Sequence, residues 1–334
     1  MPRETVETTT DVVRLGNAFC TAQVLLTAVE LGVFTALADG AASEEELRDR
    51  LGLHGRGLRP FLALLAALGL LSETDGRYAN AAAAAECLVA DRPGYVGGLL
   101  MGTKTNLYPV WNRLGETLKT GEPQSGGDEF AEMLADPARL EDYARMMDGA
   151  LVPLLPPLLG AIDWGRYRSV LDIGGCRGSL VGQVAREHPK LTGTVFDLPP
   201  LRQVCLRRAA ELGVADRIRF HGGDFFRDPL PRADVVVLGH VLHNWAPGQR
   251  EFLVRRAFHA VEPGGVLLVH DRMLDDALRH TGNLVVGMTM ALVTENGSEY
   301  TVAELRELAL AAGFRSADAV ALDGDETLVV CGKA

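Results

Sequence analysis

The stretch VLDIGGCRG, Val170 to Gly178, constrains this chain more than any other, because an apolar, β-branched run ends in an aspartate just before a tight glycine turn. A strand, a sharp turn and a helix start open a nucleotide-binding α/β unit. In the dinucleotide fingerprint G-x-G-x-x-G the turn and the helix N-terminus embrace a pyrophosphate, and an acid beside the first glycine would repel it. Here Asp172 precedes Gly174 and Gly175, and Cys176 takes the slot of the second glycine. The local charge suits an ammonium or a sulfonium. Two more acids stand where parallel strands would finish. Asp197, followed by Leu198, closes LTGTVFDLP at the distance from the turn where an acid accepts from both ribose hydroxyls. Asp224 follows Gly223 in RIRFHGGDFF, placed to accept from an adenine amino group while Phe225 and Phe226 pack on the base. Each acid alone could be a helix N-cap. Three at successive strand ends point to a bound cofactor, and S-adenosylmethionine (SAM) carries both a sulfonium and an ammonium.

From Tyr167 onward, strands and helices alternate, which predicts a doubly wound, mostly parallel sheet closed by a hairpin through Asp323, Gly324 and Asp325. The first part reads differently. Ser43 to Glu46 starts a capped helix, RGLRPFLALLAALGLL gives a second, and a hairpin with Asp75 and Gly76 at its tip follows, a winged helix-turn-helix. Its second helix offers Arg56 and Arg59 and is then apolar almost all round, unlike a helix that reads bases. Ahead of it, Asp11 to Leu37 reads as a helical segment with Phe19, Val24, Leu25, Ala28, Leu31 and Phe34 among its apolar positions. Such a helix needs a cover, most simply a second copy of the chain across a two-fold interface. The expected domains are residues 1–100 (winged-helix dimerisation domain), 101–163 (helical linker contributing to the active site) and 164–334 (cofactor-binding catalytic domain). GEPQSGGDEF, Gly121 to Phe130, reads as an exposed loop.

A net charge of −11 disfavours nucleic acid as a partner. The five cysteines are scattered without C-x-x-C spacing, so neither a disulfide framework nor a zinc site is expected. No unbroken apolar run reaches membrane-spanning length, and MPRETVETTT does not read as a leader, so a cytoplasmic protein without membrane contact is expected.

With these pieces in place, GHVLHNWAPGQ (Gly239 to Gln249) is the most specific signal, and on it the chain resembles the SAM-dependent small-molecule O-methyltransferases of the plant caffeate and bacterial antibiotic-tailoring type. The resemblance covers nearly the whole chain. It implies a Rossmann-like catalytic domain, a homodimer formed through the N-terminal domain, SAM as cofactor with S-adenosylhomocysteine as product, and no metal. It makes His243 the catalytic base, with Asp271 and Glu299 as flanking carboxylates. Asn244 replaces the family's usual aspartate. On the cofactor side the resemblance adds Gly239, His240, Trp245, Tyr143 and Met147 to the residues above. Cys176 replaces a third glycine and is expected to crowd the backbone near the methionine moiety.

The chemistry asks for such a base, since a phenol near pKa ~10 facing an imidazole near ~6.5 is uphill by roughly 4.8 kcal/mol for full proton transfer. A carboxylate on the far ring nitrogen would narrow that gap. His240 is a rival base, Asp271 could cap a helix, and Glu299 could merely start the segment TVAELRELA. Val286, Met290 and Thr294, spaced four apart, would share one helix face and line an aromatic acceptor, although core packing explains them equally. Trp111, Asn106, Tyr108 and Met101 are candidates for the opposite wall. The leading reading is methylation of a phenolic hydroxyl of a small aromatic compound such as a polyketide. The alternatives are a SAM-binding decarboxylase or hydroxylase of the same fold, and a winged-helix ligand sensor.

Overall fold

The computed structural model describes residues 6–125, 129–275, 277–322 and 325–334. The chain divides at Thr105/Asn106 into two compact units, not at 100 and 163. The helices expected as a linker belong to the second unit because their apolar faces are part of its core: Leu140, Ala144, Leu154 and Leu158 pack in one cluster with Val170, Val195 and Val235.

In the first unit, strands β1 (Ala42–Ser43), β2 (Leu71–Thr74) and β3 (Arg77–Asn80) form an antiparallel sheet in the order β1-β3-β2. They follow helices Glu44–Leu51 and Leu58–Ala67 as a wing. Ser43 and Glu46 make the reciprocal cap that starts the first of these helices. The expected segment from Asp11 to Leu37 is broken into Thr9–Gly16, Phe19–Glu30 and Val33–Ala36. Asn17 caps the first break, and Gly32, at φ +70°, turns the second. Ala28 and Phe34 are buried in the unit's own core, with Val24, Leu25, Leu31 and Met101 packed against it. The surface in need of cover lies earlier: Val12, Val13 and Leu15 are exposed, Leu15 by 65%. The stretch Thr9–Glu30 has the length and apolar character of a membrane span, which the sequence reading did not anticipate. Asp11 and Arg14 interrupt it, and it bends at Asn17.

The second unit holds a seven-stranded sheet, built from β4 (Ser169–Ile173), β5 (Thr192–Asp197), β6 (Ile218–Gly222), β7 (Ala233–Gly239), β8 (Val261–Asp271), β9 (Ser316–Ala321) and β10 (Thr327–Gly332). Its order is β6-β5-β4-β7-β8-β10-β9. β4 to β8 are parallel, and β10 runs antiparallel between β8 and β9. The chain order reverses between β4 and β7, which opens a crevice at the carboxyl ends where doubly wound sheets bind ligands. The segment 262–265, Glu-Pro-Gly-Gly, is taken up as an irregularity inside β8, between the pairs Ala233↔Val261 and Val235↔Val266. Gly264, at φ +76°, supplies the left-handed residue that it needs. The closing hairpin forms, with Leu322 N–H donating to the Glu326 carbonyl. Asp323 and Gly324 of its expected tip lie outside the described residues, as do Gly126, Gly127 and Asp128 of the expected 121–130 loop and the first five residues of the chain.

Candidate active site

The glycine turn after β4 is shaped around its acids. Asp172 lies beneath it, since a Cβ at Gly175 would fall 2.5 Å from the Asp172 carboxyl carbon. Gly174, at φ +77°, faces Val241, where a Cβ would clash at 2.7 Å. Asp197, at the end of β5, accepts from Cys176 N–H at 2.8 Å and from Leu198 N–H at 2.7 Å, one bond to each carboxylate oxygen. Free lone pairs remain on both oxygens for a pair of hydroxyls. Burial, and then the neighbouring Asp197 charge, push Asp172 up to about 7. Burial likewise pushes Asp197 up to about 6, against its two backbone donors. Neither has an ion-pair partner among the described residues. Two buried carboxyls without a cation fit a cationic cofactor such as SAM.

Cys176 differs from expectation. At φ +48° it turns the chain as a glycine would, and its side chain packs against the sheet core. Burial raises the Tyr143 hydroxyl well above its ordinary value, and the nearby Asp197 carboxylate adds to the rise. Met147 lies one turn further along the same helix, Pro137–Leu151. Asp148 ties that helix to the turn through Arg177 at 2.7 Å, a link that sequence reasoning missed. Gly223 N–H donates to the Asp197 carbonyl. Asp224 is engaged locally, accepting from Phe226 N–H at 2.8 Å and pairing with Arg227 at 3.4 Å. Phe225 and Phe226 both pack edge-on against Trp245, which gives an aromatic cluster beside the end of β6.

Across the crevice, β7 ends at Gly239 and the single turn Leu242–Asn244 carries His243. His243 Nδ1 lies 2.9 Å from Asp271 Oδ1 and 3.1 Å from Glu299 Oε1. All three side chains are buried. Asp271 ends β8 and caps no helix; its Oδ2 accepts from the Tyr300 hydroxyl at 3.1 Å. Glu299 does not start the following helix either, since Thr301 and Glu304 form that cap. Arg250 grips the segment around Glu299 by donating to Ser298 and stacking over the Tyr300 ring. Ser298 N–H donates to the His243 carbonyl.

Burial alone would depress His243, but the charge and hydrogen bonding of Asp271, with those of Glu299, raise it to about 10. Asp271 is correspondingly held below the usual carboxylate range despite its burial, while burial and the Asp271 charge hold Glu299 up. The gap of 3.5 units expected against a phenol therefore largely closes. Among the described residues no carboxylate pairs with His243 Nε2, which leaves that nitrogen for proton transfer.

His240 is differently placed. Its Nε2 lies 3.1 Å from Glu326 without a hydrogen bond, and its Nδ1 lies 3.6 Å from Asp271. Gly239 is small because the His270 ring occupies its side-chain space; a Cβ there would fall 2.1 Å from that ring. Glu326, His270, Tyr300 and Arg250 were not singled out from the sequence. Ligand atoms of His240, His270 and Glu326, or of His240, His243 and Asp271, lie within 4.8 Å of one another. The contacts of His240 with Glu326 and of His243 with Asp271 already account for that closeness.

On the acceptor side, the short helix Tyr108–Trp111 packs against helix Thr281–Val293, which brings Trp111 beside the element that carries Val286 and Met290. Asn106 and Tyr108 precede Trp111 in the same unit. The Thr294 hydroxyl is committed to the helix end, donating to the Met290 carbonyl and accepting from Gly297 N–H.

Comparison with known proteins gives two family matches: an O-methyltransferase domain over residues 111–315 and an O-methyltransferase dimerisation domain over residues 13–90. The chain is 42% identical to the tetracenomycin polyketide synthesis 8-O-methyl transferase of Streptomyces glaucescens, over 96% of this chain and 95% of that one. It is 38% identical to an N,N-dimethyltransferase of Streptomyces rimosus, over 93% and 92%. The structure of human N-acetylserotonin methyltransferase in complex with SAM superposes with a TM-score of 0.90 at 26% identity, covering all of both chains.

Proposed function

The chain belongs to the family of SAM-dependent O-methyltransferases of the antibiotic and polyketide tailoring type, and we propose that it methylates a phenolic hydroxyl of a small aromatic natural product with His243 as general base. The observation that carries this reading is the His243 ring held through Nδ1 between Asp271 and Glu299. SAM supplies a methyl group made electrophilic by its sulfonium. The acceptor oxygen must give up its proton as it attacks, and His243 Nε2 is the group that takes it. With His243 raised to about 10, transfer from a phenol near ~10 to the neutral ring is nearly balanced, but that neutral ring is the minor form at neutral pH. Alignment of acceptor and methyl contributes more, since well-oriented reactants gain about 7 to 11 kcal/mol. Asp172, Gly174, Gly175, Asp197 and Leu198 form the cofactor side, with Phe225, Phe226 and Trp245 toward the adenine and Tyr143 and Met147 above.

Incubation with SAM labelled in its methyl group and a panel of aromatic polyketide phenols tests the reading. A labelled methyl ether in the product supports it; label on nitrogen when matched aromatic amines are offered, and none on oxygen, would replace it with the activity for which the Streptomyces rimosus relative is named.

SAM affinity is expected to depend on pH. In the free protein Asp172 and Asp197 hold protons up to about 7 and about 6, and a bound cation favours their ionised forms. Binding therefore releases protons below about pH 7, so affinity should rise as pH climbs from 5 to 7 and level off above. Calorimetry in buffers of different ionisation enthalpy measures the release directly.

The dimerisation domain match supports a homodimer, and the exposed Val12, Val13 and Leu15 are the apolar surface offered to the second copy. Val13→Glu with Leu15→Glu is expected to shift the protein to monomers by sedimentation, without unfolding, because neither residue is part of the unit's own core.

A further inference from the structure

We propose that Asp148 and Arg177 are positioning residues for the cofactor: their ion pair latches helix Pro137–Leu151, which carries Tyr143 and Met147, onto the glycine turn that faces SAM. The inference rests on the reading of that turn and Asp197 as the SAM site. Arg177 stands inside the turn, between Cys176, whose N–H donates to Asp197, and Gly178, at φ +71°, where the next helix begins. Its side chain is buried. Nη1 donates to Asp148 Oδ2 at 2.7 Å, a short charge-assisted bond. Nη2 reaches Glu211 Oε2 only at 3.5 Å, and Nε is buried with no partner among the described residues. The hold on this guanidinium is therefore mostly that of Asp148.

A second guanidinium completes the cluster. Arg208 donates from Nη1 to Glu211 Oε2 at 3.1 Å and from Nε to the Ser179 hydroxyl at 3.0 Å, with Asp148 Oδ2 3.8 Å away. Two arginines and two carboxylates balance in charge. Arg177 belongs to the turn and Arg208 and Glu211 to helix Arg202–Glu211, so Asp148 is the member that brings in helix Pro137–Leu151. A groove of about 640 Å³, lined by Leu140, Glu141, Arg145, Val204, Arg207 and Glu211, lies between these two helices. Glu141 and Arg207 pair across it, but the Arg207 side chain is half exposed, and such a pair holds little. Arg177 is the buried cation, and losing its partner leaves a charge uncompensated.

What the latch holds in place is Tyr143 and Met147. Tyr143 lies near the Asp197 carboxylate, and Met147 directly precedes Asp148 on the helix. Leu140 and Ala144 anchor the helix in the sheet core by apolar burial, which does not depend on Asp148. The ion pair instead sets where the last turn of the helix sits against the glycine turn.

The test is calorimetric titration of Asp148→Asn, Arg177→Gln and the double variant with SAM and with S-adenosylhomocysteine. The two substitutions remove opposite charges. If these residues acted on the cofactor by charge alone, Asp148→Asn would weaken SAM binding and Arg177→Gln would tighten it. As a latch, both should weaken it by about tenfold, and the double variant should bind no more weakly than either single one. S-adenosylhomocysteine, which lacks the sulfonium charge, should lose as much as SAM. KM for SAM should rise in step while kcat at saturating SAM stays near wild type, a split that a smaller folded fraction does not produce. Glu141→Gln, on the exposed pair, should bind as the wild type does. Opposite signs for the two single variants, additive losses, or wild-type affinity in Asp148→Asn would overturn the proposal. Should Arg177→Gln not fold, Asp148→Asn, which keeps an acceptor for Arg177, carries the test through its equal loss of the two ligands. Asp197→Ala is titrated alongside: if it too binds SAM as the wild type does, the reading of the turn as the SAM site fails, whereas if it weakens binding and the latch variants do not, only the latch fails.

Discussion

Replacing His243 with alanine is expected to lower kcat by roughly 10² to 10⁴, the range that general-base catalysis supplies, while the affinity for SAM stays within a few-fold of wild type. The two effects separate because His243 lies on the β8 side of the crevice, paired with Asp271 and Glu299, whereas the acids suited to the cofactor end β4 and β5. The variant should also lose stability. Asp271 is fully buried, and removing the imidazole leaves it facing Glu299, the kind of broken buried pair that costs about 3 to 5 kcal/mol. His243→Gln, which retains an N–H able to reach the carboxylates, should show the same kinetic loss with a smaller drop in melting temperature. Equal loss of SAM binding and of kcat would mean that the histidine shapes the cofactor site instead.

Asp197→Ala is expected to weaken SAM binding by on the order of 10²-fold, about 3 kcal/mol, because a carboxylate that accepts from two hydroxyls makes charge-assisted bonds of roughly 1.5 to 3 kcal/mol each. Part of the loss comes from the protein itself: Cys176 and Leu198 would each lose the acceptor of a backbone N–H, and the glycine turn would lose its tie to β5. Asp197→Asn, with one acceptor oxygen left, should fall between. Calorimetric titration with SAM and with S-adenosylhomocysteine reads both, and the loss should be similar for the two ligands because they share the ribose.

Much of this site was legible because its parts are local. Asp172 and Asp197 are visible as acids at the ends of β-branched runs, and His243 and Trp245 fall in one short segment after β7. Asp224 was ambiguous for a physical reason: an aspartate that caps a local turn and one that meets a ligand occupy the same kind of position. Glu326 was not legible, because it reaches His240 only when β10 inserts beside β8. The helical breaks at Asn17 and Gly32 hid within a segment apolar enough to read as continuous. The helices between Asn106 and Leu159 looked like a linker because their partner, the sheet core, lies far along the chain.

The most direct measurement is the ratio of wild-type to His243→Ala rates at saturating SAM, across phenols of one accepted skeleton whose acidity is graded by ring substituents. If His243 removes the acceptor proton, the ratio should fall from roughly 10² to 10⁴ for a weakly acidic phenol toward unity for one already ionised at the assay pH. A ratio that stays constant across the series would contradict that role and leave His243 a structural member of the cluster.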